Sequence, residues 1–288
     1  MRLSLNETHF LISTVLRAKG FPYGALNGAV RMVQWAEIFH GVGISFLERR
    51  RLSPGPPVDG GAITLLAETA TGVAIDAGGQ SALLAGPSAL DLATERARSR
   101  DVGVVSITKL SDMLWLGQLA EQAAKRGVAC MVSFQAGDEA VESRLLGELY
   151  SQGRSIIALP LGDEGPLWIE MASTPASHDR LLSSLTGALS DDFIRLSLTP
   201  AAGGRSGATI VCQNVAPEDG AAFAQRLREA TSEDCLLFEP AQVAALHRRA
   251  VQEGFEVDPQ EYYPLARFGL TTVIPSSEDS RQQAGADG

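Results

Sequence analysis

The stretch Asp101–Phe134, DVGVVSITKLSDMLWLGQLAEQAAKRGVACMVSF, decides the fold. Its apolar run Val102–Ile107 reads as a buried strand, and Thr108–Asp112 as a polar loop. Met113–Arg126 has helical spacing, and Val128–Phe134 is a second β-branched, apolar strand. A strand–helix–strand unit of this kind belongs to an α/β protein.

Upstream, Ile63–Glu68 and Gly72–Ala77 read as two short strands around a turn at Thr71-Gly72. Gly86-Pro87-Ser88 is expected to open a helix, because proline in a first turn loses no hydrogen bond. Leu90, Ala93 and Ala97 line its buried face, and Arg96, Arg98 and Arg100 lie towards its C-terminal end, where cations are favoured. Downstream, Ser155–Leu161 and Leu167–Met171 form a strand pair around the turn Gly162–Gly165. A helix around Ser177–Leu189 and a strand at Ala208–Val215 follow, then helices at Pro217–Ala230 and Pro240–Gln252 flanking a short Leu236–Glu239 strand.

At the N-terminus Ser4-Leu5-Asn6-Glu7 is a capping box, in which serine and glutamate each satisfy the other's backbone amide. The helix behind it places Phe10, Leu11, Val15 and Leu16 on one face and stops near Gly20 and Pro22. A second helix runs from about Gly24 to Phe39 with Leu26, Val30, Val33 and Ala36 at helical spacing, and a third from Ile44 to Arg51. Ser53–Gly61, SPGPPVDGG, reads as a linker. The expected division is a helical region 1–58, a central α/β domain 59–200, an α/β segment 201–274 completing the fold, and a polar, disordered tail 275–288.

The chain has 288 residues with 45% hydrophobic and 20% charged residues, a globular composition. A net charge of −10 disfavours nucleic acid and anionic membranes. Arg49–Arg51 and His247-Arg248-Arg249 read as solvated helix faces or ends. Three dispersed cysteines suit a reducing compartment, with Cys130 and Cys212 as small core residues. The N-terminus lacks the pattern of a signal peptide and no run is long enough to span a bilayer, so a cytoplasmic location is expected. The four histidines show no metal-ligand spacing. There is no G-x-S-x-G elbow, Walker loop or G-x-G-x-x-G fingerprint.

Gly72–Leu84 (GVAIDAGGQSALL), Asp91–Ile107 (DLATERARSRDVGVVSI), the loop and helix up to Gly127, and Arg154–Thr174 (RSIIALPLGDEGPLWIEMAST) together resemble the malate/L-lactate/L-sulfolactate dehydrogenase-type family. That family also holds reductases of cyclic imino acids. Weaker similarity reaches His40-Gly41-Val42 and the Pro217–Ala230 helix, and Val273–Arg281 is similar to a bacterial group of shorter relatives. The resemblance implies an α/β fold with a mixed central sheet, flanking helices and a helical N-terminal region, L-sulfolactate dehydrogenase-like rather than Rossmann. It also implies a homodimer, an NAD or NADP cofactor, no metal, and a small oxo- or imino-acid substrate.

The family's site uses two histidines and an arginine. His40 matches the first histidine, whereas the arginine falls at Ile44 and the second histidine at Asp112. The family's Thr-Asn-Pro loop falls at Gly153-Arg154-Ser155, and Glu170, Ser173 and Thr174 replace its Asp-Thr-Ser set. Most of a substrate-side insertion between Thr174 and Ala208 is missing, and Gly203–Gly207 does not replace its glycine-rich helix start.

The candidate set is therefore His40 and Asp112 for acid–base work, Arg154 and Lys109 as carboxylate anchors, and Ser111, Ser155, Glu170, Ser173 and Thr174 as cofactor contacts. Each has a plain structural reading beside the functional one. Asp112 at a helix start serves as an N-cap, or as a proton donor or counter-ion to an iminium. His40 ends a helix, where its charge is favoured, and Lys109 and Arg154 suit solvated loops. Two functions stay open: an NAD(P)H-dependent reductase with a rebuilt site, and a dehydrogenase-like fold, catalytically retired, that binds a small molecule or a protein.

Overall fold

The structure is a computed structural model that describes residues 1–51, 63–135, 154–172, 207–230 and 235–271. The expected linker at Ser53–Gly61, the helix around Ser177–Leu189 and the tail 275–288 lie outside the described residues, as do Ser173 and Thr174.

An eight-stranded mixed sheet forms the centre, in the order β2-β3-β4-β8-β5-β6-β7-β9. Its strands are β2 (Thr64–Glu68), β3 (Gly72–Asp76), β4 (Val102–Thr108), β5 (Val128–Gln135), β6 (Arg154–Pro160), β7 (Pro166–Ala172), β8 (Gly207–Asn214) and β9 (Cys235–Phe238). Among the described strands of this sheet only the β3–β4 pairing is parallel. β8 enters between β4 and β5, so the C-terminal part of the chain supplies a central strand.

β4 is nearly continuously buried because it is covered on both faces. Gly103 is required there: a Cβ would lie 2.0 Å from the Ala93 carbonyl oxygen of the overlying helix. Alternation on β5 sends Val128, Cys130, Val132 and Phe134 to one core and Ala129 and Met131 to another.

The larger core lies under α1 (Leu5–Ala18), α2 (Leu26–His40), α3 (Gly43–Arg50), α4 (Ala82–Arg100) and α5 (Gly117–Lys125). The smaller core is closed by Phe223, Ala224 and Leu227 of α6 (Pro217–Ala230). Residues of α7 (Pro240–Glu253) and α8 (Pro259–Leu270) join the larger core, and β1 (Arg2–Leu3) pairs with β10 (Phe255–Glu256). That short ribbon ties the two ends of the described chain together, with the Met1 amine donating to the Val257 carbonyl at 2.7 Å.

The Ser4 capping box forms as expected, with Glu7 Oε2 2.7 Å from the Ser4 amide. Leu11, Val15 and Leu16 are buried, but Phe10 is 65% exposed and Ile12 takes its place in the core. The helix expected from Gly86 begins earlier: Ser81 caps α4 at Ala82, and Pro87 lies inside it. A short 3-10 turn, Met113–Leu116, precedes α5, so the helix proper begins at Gly117. Gly117 allows this close packing, since a Cβ would come within 2.3 Å of Trp35 and 2.5 Å of Ile156.

Candidate functional site

The register aligns one end of the sheet. Asp76 pairs with Thr108, Thr108 with Gly207, Gly207 with Gln135, and the adjoining Phe134 with Arg154, which pairs with Ala172. Asp112, Lys109, Arg154 and Glu170 therefore all lie along the same end. They fall into two separate centres.

The first centre joins α2, β6 and β7. α2 stops after His40 because Gly41 adopts a left-handed conformation, φ 65°, and closes the helix with a bond to the Glu37 carbonyl. Glu170 is registered opposite Ile156, two residues along from Arg154, so Arg154 and Glu170 are diagonal neighbours on one face. The Arg154 guanidinium contacts Glu170 Oε1, and both side chains are almost fully buried. Glu170 Oε2 lies 3.4 Å from His40 Nε2. The Trp35 and His40 rings meet in a T-shaped contact with centroids 5.2 Å apart, and the Trp168 ring lies 6.5 Å from His40.

Burial holds the His40 pKa below its ordinary value; Glu170 opposes that shift and Arg154 reinforces it. At neutral pH the imidazole is mainly neutral, and once protonated it is a stronger acid than a free histidine. Three candidates chosen separately from the sequence thus form one buried histidine–carboxylate–guanidinium group.

The second centre surrounds Asp112. Its backbone is left-handed, φ 57°, and its side chain makes no capping hydrogen bond to the following turn. The N-cap reading fails because the carboxylate turns instead to Arg50, whose Nε donates to Oδ1 at 2.7 Å. Arg50 also stands 5.9 Å from the Phe46 ring, and Lys19 Nζ donates to the Arg50 carbonyl at 2.5 Å. Burial pushes the Lys19 pKa down; Asp112 opposes the shift and Arg50 adds to it. Lys109 has φ 55° and pairs with Asp76.

β4 and β6 are three places apart in the sheet, about 14 Å at ordinary strand spacing. Among the described contacts, Asp112 and His40 share no partner.

Ser111 and Ser155 join neither group. The Ser111 hydroxyl donates to the Gly79 carbonyl at 3.3 Å and its amide to Gln80 at 3.0 Å. Ser155 points to the opposite face of the sheet, where its hydroxyl lies 2.8 Å from that of Ser133. The glycine turn before α4 is likewise closed: the amides of Gly78, Gly79, Ala82 and Leu83 bond to Asp76, Lys109, Ser111 and Ser81.

Reading the sequence missed two features. Arg50, set aside with Arg49 and Arg51 as a solvated run, lies four residues beyond the buried Phe46, on the same face. That spacing was the available signal. Glu121, likewise four residues after the packed Gly117, is 3% exposed and bonds His247 Nε2 at 2.8 Å. Burial pushes the Glu121 pKa up, but His247 and Lys125 outweigh it and the net shift is downward. Among the described residues no group of three His, Cys, Asp or Glu could hold a metal, and no helix is long and apolar enough to cross a membrane.

No protein-family model and no curated protein matches this sequence. Solved structures do match its fold. Malate dehydrogenase from Entamoeba histolytica aligns with a TM-score of 0.67 at 11% identity, over 96% of this chain and 99% of that one. Sulfolactate dehydrogenase from Methanocaldococcus jannaschii gives 0.60 at 16% identity, covering 93% and 96%. The Δ1-piperideine-2-carboxylate reductase from Pseudomonas syringae pvar. tomato gives 0.58 at 13% identity, covering 93% and 99%. At these identities the likeness shows a shared fold, the mixed-sheet architecture expected from the sequence.

Proposed function

We propose that this chain is a divergent relative of these dehydrogenases and reduces a small 2-oxo or cyclic imino acid with NAD(P)H, through a rebuilt site. One observation carries the proposal: His40, Glu170 and Arg154 meet in a buried group at the sheet end, within a fold shared with reductases of this kind. The His40 imidazolium gives a proton to the carbonyl oxygen or imine nitrogen from the ring nitrogen not turned to Glu170. Glu170 stabilises the imidazolium before transfer, and Arg154 holds Glu170 in position. In this reading Arg154, beside Glu170, is also the anchor for the substrate carboxylate, through a charge-assisted contact. Lys109, paired to Asp76 beyond the Asp112 centre, is the weaker anchor.

The cofactor contacts named from the sequence fit less well. Ser111 is bonded into its own loop, Ser155 faces away, and Glu170 is engaged with Arg154. The amides at the start of α4 are satisfied internally as well. Among the described residues, Ser111, Ser155 and Glu170 do not converge on one nicotinamide-sized surface. The same observation favours a second reading, in which the fold has lost redox chemistry and binds a small acid or a protein. A cytoplasmic homodimer belongs to the proposal in either form.

Nicotinamide fluorescence of NADH and NADPH, titrated with purified protein, separates the two. Saturable binding below about a millimolar, an ordinary cofactor range, supports the reductase. No binding at that level removes the redox reading and leaves the binding one.

A further inference from the structure

A groove of about 520 Å³ opens between α3 and α8 and is lined by Arg51, Tyr263, Pro264, Arg267, Phe268 and Thr271. Its size is that of a small-molecule pocket. α8 builds one wall by periodicity: Tyr263, Arg267 and Thr271 recur every fourth residue and so share a face, with Phe268 beside them. Arg51, the C-cap of α3, supplies the opposite side, and the Ser45–Glu261 hydrogen bond at 2.9 Å fixes the two helices together.

The lining chemistry is specific. Tyr263 is 65% exposed and its ring meets that of Tyr262 in a T-shaped contact at 5.4 Å, which leaves most of its surface open to the groove. Arg267 is exposed and makes no ion pair among the described residues. Arg51 gives its Nε to Glu48 at 2.9 Å, which leaves its terminal nitrogens for another acceptor. Two guanidinium groups and two aromatic rings thus border one groove in a chain of net charge −10.

We propose that this groove binds a planar aromatic carboxylate. The rings of Tyr263 and Phe268 receive the aromatic face, and Arg267 and Arg51 hold the carboxylate by charge-assisted hydrogen bonds. None of the lining residues belongs to the His40 or Asp112 centre, so the site stands apart from the proposed reduction.

The test uses the full chain and saturation-transfer NMR with three probes. 2-Naphthoate has both ring and charge, cyclohexanecarboxylate only the charge, and 2-naphthylmethanol only the ring. Naphthoate is expected to bind in the millimolar range or tighter, with each comparator at least roughly tenfold weaker, as loss of one anchor requires. Arg267→Glu and Tyr263→Ala each weaken naphthoate about tenfold; both alter exposed side chains, and circular dichroism checks their folding. His40→Gln leaves naphthoate binding unchanged, which separates this site from the reaction centre. Naphthylmethanol binding as tightly as naphthoate, or both groove variants binding within about twofold of wild type, overturns the proposal.

Discussion

Replacing Arg154 by Met tests the energetics of the buried centre. Arg154 and Glu170 have side chains only 2% and 1% exposed. Methionine removes the guanidinium but leaves the carboxylate in the same low-dielectric surroundings. Breaking a buried pair from one side costs about 3–5 kcal/mol, because the remaining charge is uncompensated. Set against a whole-domain stability of about 5–15 kcal/mol, that is a large fraction. With a urea m-value near 2 kcal/mol/M, a loss of about 4 kcal/mol lowers the midpoint by about 2 M. The assay is urea unfolding followed by both circular dichroism and tryptophan fluorescence, whose coincidence checks for a single transition. Arg154→Met/Glu170→Leu should recover most of the loss, since replacing both partners by apolar groups is often neutral. A loss below about 1 kcal/mol for Arg154→Met, with no recovery in the double variant, would refute the reasoning.

Three further outcomes follow from the same geometry. Asp112→Asn should fold with a loss of no more than about 2 kcal/mol, because asparagine tolerates the left-handed backbone and its Oδ1 can still accept from Arg50 Nε, so that the charge of this largely buried contact is lost but not its hydrogen bond; equilibrium unfolding measures this, and turnover unchanged from wild type would exclude Asp112 from catalysis. Gly117→Ala should destabilise by about 1–3 kcal/mol through overpacking against Trp35 and Ile156, read as a lowered melting temperature. Glu121 has a folded-state pKa below its ordinary value of 4.5, so its contribution is present above that pH and is lost as pH falls through the folded value; Glu121→Gln should therefore flatten the acid limb of a stability–pH profile, and an unchanged limb would contradict this.

Local signals in the sequence were enough for much of the fold. The Ser4 capping box, the helical spacing of α2 and the apolar run of β4 each specify an element without distant help. Contacts from elsewhere set what was misread. Phe10 fits the helical stripe, but Ile12 is the side chain that reaches the core. Pro87 suggested a helix start, whereas the Ser81 cap and the pairing of its loop with Ser111 begin the helix one turn earlier. α8 was overlooked although Asp258-Pro259 is a capping residue followed by proline, a combination that marks a helix start.

At the site, sequence position led to His40, Arg154 and Glu170, but nothing local revealed that they meet, because that depends on the β6–β7 register. Asp112 looked like a cap because the residue type suits one. Arg50, 62 residues earlier in the chain, determines its actual partner. Sidedness placed Ser155 away from the group, and a one-residue alternation decides that once the strand is registered.

The most direct test follows NAD(P)H consumption below neutral pH with a panel of small 2-oxo and cyclic imino acids, comparing wild type with His40→Gln. Because the His40 pKa is depressed, reductive turnover should rise as pH falls towards that pKa, and the variant should lose it. Consumption that is absent with every acid, together with a His40 imidazole NMR signal that no acid perturbs, would contradict the account.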